Sequence, residues 1–220
     1  MEVRMGFISN SSSFTRYWVK DQLPADYRQR YAEQIRRYAF REIEEDSDLE
    51  RSIGWVNIMN VMDNEFRGEE FFKGEFIALS LRIDTRRVPG QVLKNFCRKA
   101  EEEIKAEQGK DFLSKAQRQE IRDLVRYKLL KRAIPNTRTF DMVWDLTCGK
   151  LLFSSTTESV CLEFLELYKK TFDLTLEQLF PYNLAQSFLT DSQKALLERA
   201  LPTSFGPPPE EATVGQEGGR

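Results

Sequence analysis

The segment from Thr139 to Ser154 leaves little conformational choice. Thr139-Phe-Asp-Met-Val-Trp-Asp145 alternates between apolar and polar residues. Thr147-Cys-Gly-Lys150 has the composition of a turn, and Leu151-Leu-Phe-Ser154 returns as a second strand. Two such runs joined by a short glycine-containing turn predict a β-hairpin. A hairpin commits the chain to an antiparallel sheet, and any helix elsewhere must then find its packing partner on that sheet or on another helix.

Helical spacing occurs on both sides of the hairpin. Pro24 opens a helix to about Phe40, with Tyr27, Tyr31, Ile35 and Tyr38 on one stripe and Arg28, Arg30, Arg36, Arg37 and Arg41 on other faces. Pro89 starts a helix to about Glu107, with Leu93, Phe96, Cys97, Ala100 and Ile104 on its apolar side, and Gly109 ends it. Ser114 with Gln117 forms a capping-box pattern for a helix over 114–133, whose apolar stripe is Ile121, Leu124 and Val125, and Pro135-Asn136 breaks it. Ser155 and Glu158 predict the cap of a further helix carrying Val160, Cys161, Phe164, Leu165, Tyr168 and Phe172.

Three more strands are expected, at Phe14–Val19, Ile53–Ile58 and Glu75–Val88, the last alternating through Leu79, Leu81 and Ile83. Asp63–Gly74 reads as a turn and Leu174–Leu184 as an apolar connector. Asp191 is expected to cap a short helix to about Ala200. The sum is an α+β fold in which antiparallel strands and hairpins pack with amphipathic helices. Residues 1–200 form the expected domain, and the Pro-, Gly- and Glu-rich residues 201–220 an expected disordered tail.

Histidine is absent from the 220 residues. This removes Ser-His-Asp and Cys-His nucleophile systems, His-ligated zinc and histidine acid–base chemistry. Neither GxxxxGK[ST] nor GxGxxG is present. Carboxylates with a divalent cation remain as a catalytic possibility. Glu103-Ile-Lys105 matches a bare ExK, but in a predicted helix, and Asp141 and Asp145 share one face of a strand. Hairpin-surface carboxylates need no such role, and the chain is expected to have neither catalytic residues nor a cofactor or metal. Cys97, Cys148 and Cys161 form no CxxC pair and sit among apolar residues, so they are expected as small core side chains in a reducing compartment. Trp18, Trp55 and Trp144, all in predicted strands, are expected to pack in the core. No apolar run reaches the roughly 20 residues of a membrane span, and the first ten residues lack a leader-like apolar region, so the expectation is a cytoplasmic protein without a membrane partner.

The net charge of −2 conceals a strong segregation. Glu42, Glu44, Glu45, Asp46, Asp48 and Glu50 fall within nine residues that contain no base. Lys94 to Arg138 holds thirteen bases against seven acids, a local excess of six. Lys115, Arg118, Arg122 and Arg126 are spaced three, four and four, so they share a helix face beside the apolar stripe. Lys131 and Arg132 extend the supply of cations. These six are the candidate DNA-binding residues, because aligned lysine and arginine contact successive phosphates and release counterions. The competing reading is a solvated helix face paired with Glu120 or Asp123. No helix-turn-helix, zinc-finger, RNP or basic-zipper pattern accompanies them, so base readout is not expected.

Val88-Pro-Gly-Gln-Val-Leu-Lys94, the Glu/Lys-rich helix, the basic helix and Arg138–Phe153 follow one another in an order and spacing that resemble the bacterial recombination-associated RdgC family. Ile53-Gly-Trp-Val56 is similar to a Gly-Trp-Val element upstream in that family. The resemblance spans about residues 5–182. It implies a non-enzymatic, nucleoid-associated protein that binds single and double strands with little sequence preference. It also implies a ring-shaped homodimer with a basic hole that limits access of the recombinase RecA to DNA. Family members usually continue further beyond the hairpin and the helix after it, so an open dimer is an alternative. The alternative to DNA binding is a protein-interaction module using the acidic 42–50 segment or the tail; a divergent metal-dependent nuclease comes third.

Overall fold

The computed structural model describes residues 7, 13–44 and 46–200, which divide into two compact units, one to Leu179 and one from Phe180. In the first unit the order is β1 (Thr15–Val19), α1 (Tyr27–Arg37), β2 (Arg51–Asn57), β3 (Phe72–Lys73), β4 (Phe76–Thr85), α2 (Gly90–Gln108), α3 (Lys115–Lys131), β5 (Asn136–Asp145), β6 (Lys150–Phe153), α4 (Glu158–Phe172) and β7 (Leu176–Gln178). The second unit contains α5 (Pro181–Phe188) and α6 (Asp191–Arg199). Residues 201–220 lie outside the described residues.

The strands form one antiparallel sheet in the order β2-β4-β5-β6-β1-β7, with β3 paired to the start of β4. The predicted hairpin is β5–β6, in register Met142 to Phe153 and Trp144 to Leu151. Its turn is closed by Asp145, whose Oδ1 accepts from the Thr147 N–H at 2.8 Å and the Thr147 hydroxyl at 2.6 Å. The fold class is therefore α+β, as the alternating and helical periods require.

One face of the sheet carries the main core. Ile77, Leu79, Leu81 and Ile83 of β4, Trp55 of β2, Met142 and Trp144 of β5, and Leu151 and Phe153 of β6 all point to it. Helices α1 and α4 cover it with Tyr31, Ile35, Phe164, Tyr168 and Phe172. Phe153 stacks on Phe164 with centroids 4.0 Å apart, and Phe172 meets both Tyr31 and Trp144 edge-on. Trp55 and Trp144 are both wholly buried. The Trp55 indole donates to the Thr171 hydroxyl at 2.8 Å.

The second face is also buried along β4, but with polar residues. Arg82 makes a two-point contact with Asp84 at 3.0 and 2.8 Å and lies 4.2 Å from the Phe40 ring centroid. Ser80 donates to Asp141 at 2.6 Å, and the Phe7 N–H donates to the other Asp141 oxygen at 2.9 Å. Burying these groups is tolerable because each finds a charged or hydrogen-bonded partner. Segment 38–40 runs beside the outer edge of β2, where the Trp55 N–H donates to Tyr38 and Trp55 in turn accepts from Phe40.

Several local expectations need correction. The N-cap of α4 is Thr157, not Ser155. The Ser155 hydroxyl instead accepts from the Thr157 N–H at 3.2 Å, just ahead of the helix. Leu174–Leu184 is not a plain connector, since it contains β7 and the start of α5; a three-residue strand has too little pattern to be seen. Thr190, not Asp191, caps α6, in a capping box with Gln193. The Asp63–Gly74 turn contains the short β3. Cys148 is exposed at the hairpin turn, and Cys97 and Cys161 are half-buried. Trp18 is only half-buried, with Lys20 across its ring at 5.8 Å.

Candidate nucleic-acid interface

Helices α2 and α3 form a hairpin that shares no extensive interface with any other element. The turn between them follows from three residues. Gly109 adopts φ 59°, the left-handed conformation that ends α2 and returns its N–H to Lys105. Ser114 and Gln117 form the predicted capping box, each side chain bonded to the other's backbone, at 3.2 and 3.0 Å. Between the helices lies a small separate core of Leu113, Ile121 and Val125, against which Leu93, Cys97, Ala100, Ile104 and Leu129 pack. Leu124 and Phe96, expected in the apolar stripes, are half exposed instead. Each helix has a single partner here, so only a narrow stripe is covered.

The predicted basic stripe borders this core. Lys115, Arg118, Arg122 and Arg126 are all exposed. Lys115, Arg118 and Arg122 line one bank of an open groove of about 680 Å³ between the two helices. Lys94 and Arg98 of α2 stand on the groove as well, over a floor formed by Leu93 and Cys97, with Glu101 the sole acid among the described residues that line it. Among the described residues, none of these five cations is ion-paired. Burial pushes the Cys97 thiol above its ordinary pKa, while the nearby Arg122 guanidinium acts the other way. Neither Glu120 nor Asp123 pairs with the stripe; Asp123 accepts from Gln119 at 3.0 and 3.2 Å.

Lys94 and Arg98 belong to the basic region 94–138 but lie outside the six candidate DNA-binding residues. Their i, i+4 spacing is the available signal, yet it does not say which way α2 turns them.

Arg126, Lys131 and Arg132 are placed differently. Arg126 is ion-paired with Glu50, and Lys131 with Asp46 at 3.0 Å. Lys131 lies five residues beyond Arg126, roughly 140° around the helix from it, and sits 4.6 Å from the Tyr127 ring centroid. The Tyr127 hydroxyl and the Asp46 carboxylate hold its ammonium above the ordinary lysine pKa. Arg132 is the exposed C-cap of α3, without an ion pair among the described residues. The structure thus brings Lys115, Arg118 and Arg122 to one groove and the other three candidates to the root of the α2–α3 arm, where α3 leads back toward β5 of the sheet.

The candidate nuclease carboxylates do not converge. Asp141 is buried and bonded to Ser80, whereas Asp145 is occupied in the hairpin turn by Thr147 and Cys148. Glu103 lies on α2, where it pairs with Lys99 at 3.8 Å. Among the described residues, no three Asp, Glu, Cys or His side chains are grouped to hold a metal ion. No described helix is long and apolar enough to cross a membrane.

Comparison with known proteins agrees with the order of elements. No curated protein matches the chain. The family model described as "Putative exonuclease, RdgC" matches residues 14–207, which takes in the sheet, the α2–α3 arm, α4 and both helices of the second unit. A match over that much of the 220 residues makes this chain a member of the RdgC family.

Proposed function

We propose that this protein binds DNA through its phosphate backbone, without reading bases and without cleaving the strand, and so limits access of RecA to DNA in the nucleoid. One observation carries the reading: five cations from two helices, Lys94, Arg98, Lys115, Arg118 and Arg122, line one open groove free of ion pairs among the described residues. Fixed cations along a groove suit a repeating polyanion, and release of its counterions drives the association. The groove floor is aliphatic rather than aromatic, so stacking on bases contributes little there. A homodimer, as the resemblance implies, would present two such arms to one DNA.

The test is binding to a random-sequence labelled duplex across a salt series with EDTA present. If the five groove cations engage phosphates, log K falls against log salt with a slope of about −4 to −5. Arg98→Ala/Arg118→Ala/Arg122→Ala, drawn from both helices, should make the slope shallower by about 2 to 3. No binding at ~50 mM salt, where backbone contacts are favoured, would refute the DNA reading and turn attention to a protein partner. Loss of the labelled strand on adding Mg²⁺ would refute the non-cleaving part alone.

A further inference from the structure

The acidic segment 42–50 and the end of α3 are far apart in sequence, yet the fold joins them. Arg126 pairs with Glu50 across 76 residues, and Lys131 with Asp46 across 85. These contacts are not the chance meeting of two loose chains, because the segment is held from below. Arg86 is 3% exposed, and among the described residues it has no ion-pair partner. Its guanidinium donates instead to the carbonyls of Ile43 at 2.9 Å, Glu44 at 3.0 Å and Ser47 at 3.5 Å. The Arg86 N–H adds a bond to the Glu50 carbonyl at 2.8 Å. A buried guanidinium holding three carbonyls of one segment, with the backbone N–H of the same residue holding a fourth, fixes the path of the chain that carries Asp46 and Glu50.

From this geometry we infer that the acidic segment is an internal competitor for the DNA backbone, with Glu50 and Asp46 standing where phosphates would otherwise contact Arg126 and Lys131. The inference rests on the DNA-binding reading above and refines it. In the resting protein the free footprint is the groove of Lys94, Arg98, Lys115, Arg118 and Arg122. Extension of that footprint to the root of the arm requires exchange of two carboxylates for two phosphates. Both pairs are solvent-accessible: the Arg126 and Glu50 side chains are about half exposed, and Asp46 is 95% exposed. Such pairs are weak and salt-screened, so a dense polyanion displaces them while an isolated anion does not. The segment thereby raises the charge density a ligand needs before it engages the whole helix.

The experiment compares the full chain with Asp46→Asn/Glu50→Gln and with a charge-matched control in the same segment, Glu44→Gln/Asp48→Asn. Among the described residues, neither Glu44 nor Asp48 pairs with α3. The contact-breaking variant should bind duplex DNA several-fold more tightly than wild type at ~100 mM salt, with a slope steeper by up to about 2, because two further cations become available to phosphates. The control should move much less. A companion cycle sharpens the result: Arg126→Ala should weaken binding more in the Glu50→Gln background than in wild type. Equal gains in variant and control would overturn the inference, since they would report only the general field of two removed charges. Unchanged binding in the contact-breaking variant, with wild type bound, would overturn it while leaving the DNA reading intact. Absence of binding by all proteins at ~50 mM salt would remove both.

Discussion

Gly54 sits where segment 38–40 crosses the edge of β2, and the crossing is close enough to exclude any side chain. A Cβ at this position would lie 2.4 Å from the Phe40 Cα and 2.5 Å from the Phe40 nitrogen, both backbone atoms that cannot swing aside. Gly54→Ala should therefore destabilise the protein by about 1–3 kcal/mol or more, as overpacking does when the backbone must move. Gly90→Ala, at the open start of α2 with nothing within 4 Å, should be nearly neutral. Urea midpoints of the two variants give the comparison directly. Asp145 supplies a second test at this scale. Hydrogen bonds from Thr147, and then from Cys148, hold its carboxyl at a pKa of about 2. The unfolded value is about 3.9, so the folded state favours the carboxylate. That contribution is present above about pH 4 and is lost as pH falls toward 2. Thr147→Ala removes the largest cause, so the fall in stability between pH 5 and 2 should be less steep in this variant than in wild type, as followed by urea denaturation at each pH.

At the scale of elements, the α2–α3 arm is the part of the first unit with the least support. Its core is three buried side chains, Leu113, Ile121 and Val125, separate from the aromatic core on the sheet. Local stability follows buried apolar contact, so the arm should open without the sheet. Amide exchange across 90–131 should be faster than in β4 and β5. Ile121→Ala, which empties the middle of the small core, should abolish protection in the arm while leaving that of the sheet nearly unchanged. A uniform loss across both would contradict the separation. Elements of this kind also mark how far the sequence could be read. Each helix and long strand was legible because its period is local: alternation in Leu79, Leu81 and Ile83, a capping box at Ser114, a glycine stop at 109. Partners were not legible, because periodicity names a face and not what covers it. Leu124 and Phe96 satisfied the stripe of their helices, but with one partner helix the covered stripe is too narrow to include them. The basic face of α3 was visible in its spacing of three and four. The second bank from α2 and the carboxylates reaching Arg126 and Lys131 arise from tertiary neighbours, which no single-segment pattern contains.

Over the whole molecule, the near-balance of charge hides two opposed surfaces that the fold sets side by side, and the sheet itself is closed by a long return of the chain. Strand β1 lies between β6 and β7, so neither of its edges is satisfied by a sequence neighbour. The Thr15 hydroxyl donates to a carbonyl 140 residues away, that of Ser155, at 2.6 Å. On the ribosome, at about 5–20 residues per second, this strand emerges on the order of ten seconds before the segment that flanks it. For that interval Phe14-Thr-Arg-Tyr-Trp-Val19 is an aromatic, strand-forming stretch whose partners in the described sheet, β6 and β7, are not yet made, which exposes it to chaperones and to a second nascent copy. Arg16 within the strand and Lys20 just beyond it place charge on this stretch, the kind of residue that disfavours edge-to-edge mispairing. The position of β1 in the finished sheet thus makes the first of the described strands to be translated one of the last to be inserted.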